Sequence, residues 1–320
     1  MISGRFALAA LPLLAVAWSC RTGTEPSTPP PAGALRWTQL PPAPLLRTEV
    51  AAAAAGGRLY VMGGFAPPDQ TVRIVESYLV EAGRWESGPD LPIDLNHAMA
   101  ASLDGLIYLL GGYGGPGLST ASDRAFALAG GRWQELPRMP EPRAAGGAAA
   151  LGGKIFVAGG VGPAGLAEST LVFDPSSNTW STAASVPTRR EHLGVASDGS
   201  RLYVVGGRTG RNLATAEAFD PSTGTWTTLP EMPTTRGGIA AAATSNGFVV
   251  AAGGEAEATF DEAEAFQANA GRWISLPPMP TARHGLGVVA VGTVIYALAG
   301  GPQPGYAFSG ANESIDLAGL

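Results

Sequence analysis

Short apolar runs alternate with turn-forming Gly, Pro, Asn and Asp along most of the chain, and they recur in a fixed order. After Arg47 comes an Ala/Val-rich run at residues 50–55, then a glycine turn and an alternating run at 58–62 that ends on Gly63-Gly64. A loop leads to a third run at 75–78 that closes on an aromatic, and a short fourth run carries Trp85. Runs of this length, bounded by glycine and rich in alternation, predict strands rather than helices. The unit returns at Gly111-Gly112, Gly159-Gly160, Gly206-Gly207, Gly253-Gly254 and Gly300-Gly301, at spacings of 48, 48, 47, 47 and 47 residues. Trp37, Trp85, Trp133, Trp180, Trp226 and Trp273 keep the same beat.

Four short strands per period of about 47 residues predict a propeller blade, and six periods predict an all-β, six-bladed ring. The chain enters with a Trp-bearing run at 36–39 that has no three strands ahead of it. It leaves after a run at 313–317 that has no fourth strand. The two fragments are expected to complete the last blade, which closes the ring and removes its open edges. The order Arg, small-residue strand, Gly pair, Glu-x-aromatic and Trp resembles the Kelch repeat. The fourth unit shows it most fully, with Arg190, Leu202-Tyr203-Val204-Val205-Gly206-Gly207, Glu217-Ala218-Phe219 and Trp226. The resemblance covers residues 35 to about 317 and implies a Kelch propeller. Galactose oxidase, the bacterial N-acetylneuraminate epimerases and adaptor subunits of ubiquitin ligases share this repeat, so it implies fold and not chemistry.

The N-terminus predicts an address. Residues 1–19 carry Arg5 and an apolar run at 6–18, about 13 residues against the roughly 20 that span a bilayer, and read as a secretory signal. Cys20, the single cysteine, follows Ala17-Trp18-Ser19 in a manner that resembles a bacterial lipobox, which implies lipidation there. Residues 20–34, rich in Pro, Thr and Gly, read as a tether, leaving 35–320 as the propeller. The expectation is an exported protein, lipid-anchored at the outer membrane or cell surface, with a soluble periplasmic or secreted form as the alternative. A net charge of -6 with 14% charged residues excludes a nucleic-acid partner as the first reading.

Candidate chemistry falls on one face, where the strand-four-to-one and strand-two-to-three loops meet. Three residues beyond a recurring Pro stand Arg47, Leu95, Arg143, Arg190, Arg236 and Arg283. In related Kelch domains this position often lines the ligand pocket, so the five arginines are expected to line the channel mouth and grip carboxylates or phosphates. Two such cations about 10 Å apart repel by roughly 1.7 kcal/mol at an effective dielectric of 20, so something must neutralise them. The alternative neutralisers are internal: Glu76, Glu217, Glu264 and Glu313 recur before the third-strand aromatic, and blade 2, which lacks the Arg, lacks the Glu too. All three histidines, His97, His192 and His284, fall within two residues of the ring position; Glu49, His97 and His192 lie two residues beyond it, where an extended strand points them the same way as the arginines, and are candidates for proton transfer. Tyr113 and Tyr306, in the variable loops, are candidates to stack on a sugar. Arg208 and Arg211 are expected to pair with the acidic loop at 255–262.

With its only cysteine in the leader, the chain cannot build the copper site with a cysteine–tyrosine crosslink that galactose oxidase needs. It also shows no phosphate-binding glycine loop followed by Lys, no serine nucleophile elbow and no ubiquitin-ligase segment. No cofactor and no metal are expected. The leading expectation is a binding protein that recognises a glycan, an acidic small molecule or a peptide at the mouth. A periplasmic sugar epimerase or mutarotase, and a scaffold without a small ligand, are the alternatives.

Overall fold

The computed structural model describes Met1 and residues 35–320 apart from 116 and 119. The expectations for the leader, Cys20 and the tether fall on residues 2–34, outside the described residues. Six antiparallel four-stranded sheets form the blades. Blade 1 comprises Ala51–Ala55, Arg58–Met62, Val75–Leu79 and Arg84–Ser87, and blade 2 comprises Met99–Leu103, Leu106–Leu110, Ala125–Ala129 and Arg132–Glu135. Blade 3 is built from Gly147–Leu151, Lys154–Ala158, Thr170–Asp174 and Thr179–Ala183, and blade 4 from Gly194–Ser197, Leu202–Val205, Ala216–Asp220 and Thr225–Thr228. Blade 5 has Ala240–Ala243, Phe248–Ala252, Ala263–Gln267 and Arg272–Ser275. Blade 6 has Gly287–Val291, Val294–Leu298, Asn312–Asp316 and, as its outermost strand, Thr38–Gln39, with Thr38 opposite Ser314 and Gln39 opposite Glu313. Among these residues no helix is long and apolar enough to cross a membrane.

The residue pattern explains the geometry from the axis outward. Six inner strands converge on one channel, so they carry small side chains there: Ala52, Ala100, Ala148, Val195, Ala241 and Val288 line it. The second and third strands are sandwiched between neighbouring blades and carry the bulk of the core, with Leu59, Val61, Leu109, Val157, Val204 and Val249 fully buried. Burying one such side chain contributes about 1.5–3 kcal/mol. Aromatic contacts bridge adjacent blades, as between Tyr108 and Phe173 and between Phe156 and Phe219, ring centroids 6.2 and 5.8 Å apart.

Each outer-strand tryptophan is half-buried and reaches backward to the preceding blade. Trp85, Trp133, Trp180, Trp226, Trp273 and Trp37 donate through Nε1 to the carbonyls of Pro41, Pro89, Pro137, Ala184, Pro230 and Pro277, at 2.7–2.8 Å. The acceptors lie in the segments that leave the previous outer strand, so six indoles tie six blades in sequence.

The glycine pairs serve the opposite edge. The backbone N–H of Gly64, Gly112, Gly160, Gly207 and Gly254 donates to the carbonyl of Leu95, Arg143, Arg190, Arg236 and Arg283 in the next blade, at 2.8–3.0 Å. In blade 6 this bond is made by Gly300, to Arg47 at 2.8 Å. The structural counterpart of the pair there is therefore Ala299-Gly300, with Ala299 at φ 54°, and not Gly300-Gly301 as the spacing predicts.

Candidate functional site at the channel mouth

The five arginines do not line the mouth. Each is fully buried, and each is neutralised from within. Arg47 pairs with Glu76 at 2.7 Å, Arg190 with Glu217 at 2.6 Å, Arg236 with Glu264 at 2.8 Å and Arg283 with Glu313 at 2.6 Å, always inside one blade. Arg143, whose blade has Leu171 in place of the glutamate, takes Glu141 at 2.7 Å and the Ser169 carbonyl and hydroxyl instead. Other Nη donors bind strand carbonyls, such as Val204 for Arg190 and Ala297 for Arg283, while the Nε of each arginine has no partner among the described residues. Burial pulls these guanidinium groups below their ordinary pKa, and each acidic partner opposes the shift. In blades 4 to 6 a threonine two residues earlier, Thr188, Thr234 or Thr281, donates to the same carboxylate at 2.6–2.9 Å. Leu95 fills the sixth position as a buried apolar residue.

The reason lies two residues on. Glu49, His97, Ala145, His192, Gly238 and Gly285 all have left-handed backbone, with φ between 51 and 70°. A side chain two residues along an extended strand would share the arginine's direction. The left-handed kink turns it away instead, into the mouth. The kinks are locked by a ring of backbone bonds: His97 N–H to Glu49 O, Ala145 to His97, His192 to Ala145, Gly238 to His192 and Gly285 to Gly238, closed by Val50 N–H to Gly285 O, at 2.7–3.2 Å. Non-glycine residues in this region cost about 1–3 kcal/mol and persist where surrounding structure over-determines them.

Three of these side chains meet. His97 Nε2 lies 3.0 Å from His192 Nε2 and 3.1 Å from Glu49 Oε2. Behind them His97 Nδ1 contacts Asn96 Oδ1 at 2.6 Å, and His192 Nδ1 is bonded to Glu191 Oε2. Arg208 bridges Glu191 at 2.8 Å and Glu255 at 3.0 Å, the cross-loop pairing expected for it; Asn212 Nδ2 holds the Glu255 carbonyl at 2.7 Å. Burial pushes His97 down to about 4, although Glu49 pulls the other way. For Glu49, burial would raise the pKa, but His97, His192, His284 and Arg208 outweigh it and hold the carboxyl below its ordinary value. Gly285 makes room for this carboxylate: a Cβ there would stand 2.6 Å from Glu49 Oε1 and from Thr48 Oγ1.

Above this floor opens a cavity of about 190 Å³ lined by Thr48, Glu49, Phe65, His97, Leu118, His192, Arg208, Glu255, His284, Gly305 and Tyr306. Its size holds on the order of ten waters or one small ligand. Tyr306 is exposed at the cavity and packs edge-on against Phe65, ring centroids 5.0 Å apart. Tyr113 is not: it is buried behind His97, at a centroid distance of 5.6 Å, and supports the imidazole. His284 is buried, and its Nε2 stands 3.3 Å from Glu255 Oε2, yet neither ring nitrogen has hydrogen-bond geometry to a described residue. Sequence reasoning missed Asn96 and Glu191 as parts of this site, and noted His284 only as lying near the ring position. The signal for them was their shared place, one residue beyond the ring position.

An all-β ring of six four-stranded blades defines a β-propeller. The KLHDC2/KLHL20/DRC7 Kelch-repeats domain matches residues 49–232 and again 96–301, and the chain belongs to this Kelch-repeat family. Among solved structures it is similar to the one titled "Structure of YjhT", at 17% identity and a TM-score of 0.74, over 85% of this chain and 95% of that one, a likeness of fold. No curated protein matches it.

Proposed function

We propose that the chain is a binding propeller that takes a small uncharged glycan at the mouth of its channel. The observation that carries this reading is the mixed lining of the cavity. Phe65, Leu118 and Tyr306 offer apolar surface, while Glu49, Glu255, His192 and His284 offer acceptors and donors. A pyranose has the matching surfaces, an apolar C–H face and a rim of hydroxyls, and binding sites commonly combine apolar walls with a few fixed polar groups. The acidic ligands expected from the arginines lose their support. The guanidinium groups are sealed in the blades, and at the mouth Glu49, Glu191 and Glu255 outnumber Arg208.

Thermal unfolding of wild type and Tyr306→Ala against neutral sugars, acidic sugars and acidic peptides tests the proposal. A ligand that binds the folded state must raise the midpoint. The expected result is a rise with a neutral sugar that Tyr306→Ala loses; a response to acidic ligands alone would overturn it. Proton NMR of the same sugar distinguishes a binder from an epimerase, because anomer exchange faster than in buffer would replace binding by catalysis. The reading includes membrane anchoring through lipidated Cys20, tested by Cys20→Ser: the variant is expected to leave the membrane fraction.

A further inference from the structure

The three side chains at the floor of the mouth pose a question of protons. Asn96 Nδ2 donates to Thr71 Oγ1 at 2.9 Å, and Thr71 in turn donates to the Gly115 carbonyl at 2.8 Å. This fixes the amide with its oxygen toward His97, so His97 carries its proton on Nδ1 and a lone pair on Nε2. An independent relay does the same for the second imidazole. Arg208 holds Glu191 Oε1, Glu191 Oε2 accepts from His192 Nδ1, and the lone pair of His192 is left on Nε2. Both lone pairs and Glu49 Oε2 then converge, all within 4.8 Å of one another, with no proton assigned between them.

Three Lewis-basic atoms that close together repel unless a shared proton or a metal cation lies among them. Carboxylate or carbonyl partners on the far ring nitrogen are the usual arrangement behind metal-bound histidine, where they fix the tautomer and raise the basicity of the ligand. Two neutral imidazoles and one carboxylate form a ligand set suited to zinc and its neighbours, and leave further positions open. The separation of 3.0 Å between the two Nε2 atoms fits two bonds of about 2.0–2.1 Å to one ion. The open side faces the cavity, which buried His284 also lines.

We infer that Glu49 Oε2, His97 Nε2 and His192 Nε2 are the protein ligands of a zinc-class divalent cation at the floor of the mouth. Asn96 and Glu191 are positioning residues that act through the imidazoles. The site departs from the absence of metal expected from the sequence, and it stands whether or not a sugar occupies the cavity above.

The test uses the full chain, stripped with EDTA and titrated calorimetrically with Zn²⁺ in the absence of sugar, with Co²⁺ absorption as an independent readout. One ion per chain is expected, with a Co²⁺ ligand-field band that Zn²⁺ abolishes. His97→Ala/His192→Ala should weaken binding by at least about 100-fold, and Glu191→Gln by about 10–100-fold. No ion bound to wild type, or binding with the same affinity in these variants, would overturn the inference. Should the double variant fail to fold, the wild-type stoichiometry, its Co²⁺ band and the conservative Glu191→Gln still decide it.

Discussion

Two rings of residues, two positions apart in the repeat, divide the labour of this propeller. The first is nearly uniform: five arginines and one leucine, all buried, each arginine neutralised by a glutamate. The second varies from blade to blade as Glu49, His97, Ala145, His192, Gly238 and Gly285, and its side chains face the mouth. A repeated charge in a fold of repeated blades marks scaffold, because every blade presents the same problem of strand-end carbonyls to satisfy. Variation at a position with a constant, costly backbone marks a site.

The largest expected effect breaks the first ring. Arg236→Ala leaves Glu264 buried without its partner and should cost about 3–5 kcal/mol in denaturant unfolding, because the penalty is that of an uncompensated charge. Replacing both partners by apolar residues of similar volume should recover most of that loss. Leu95→Arg tests the converse: a sixth guanidinium in blade 2, where Phe126 pairs with Leu109 in the place that Glu76 holds opposite Val61, should destabilise by a similar amount. Adding Phe126→Glu should restore part of it.

Gly285→Ala joins the two rings. The residue sits at φ 56°, and its new Cβ would collide with Glu49 Oε1. A loss of about 1–3 kcal/mol is expected, together with displacement of Glu49 and weaker Zn²⁺ binding by calorimetry. The smallest effect on stability belongs to the mouth itself. Tyr306→Ala, at an exposed position, should change unfolding by no more than about 0.5 kcal/mol while it removes the thermal response to a neutral sugar. A large stability loss here, or none for Arg236→Ala, would reverse the assignment of scaffold and site.

The fold was legible because it is written six times. Glycine pairs and tryptophans at a constant spacing report strands and blades without any knowledge of contacts, since each makes the same bond to a neighbouring blade in every copy. Even the one slip, Ala299-Gly300 in blade 6, is a shift of a single residue in which alanine takes a left-handed position that glycine holds elsewhere. The arginine–glutamate pairing was also visible, as the joint loss of both residues in blade 2. What misled was the direction of side chains: counting by twos along an imagined strand put Arg47 and Glu49, or Arg190 and His192, on the same side.

The sequence by itself determined the number of blades, their strands and the residues that repeat, because these follow from local periodicity and turn chemistry. Only the tertiary structure decided which of them meet. Glu49, His97 and His192 are 48 and 95 residues apart in the chain. They touch because ring closure brings consecutive blades around one axis and a left-handed kink aims each side chain inward. Their proton positions are set by partners such as Thr71, Asn96 and Arg208, whose hydrogen bonds exist only once the loops have folded over the mouth.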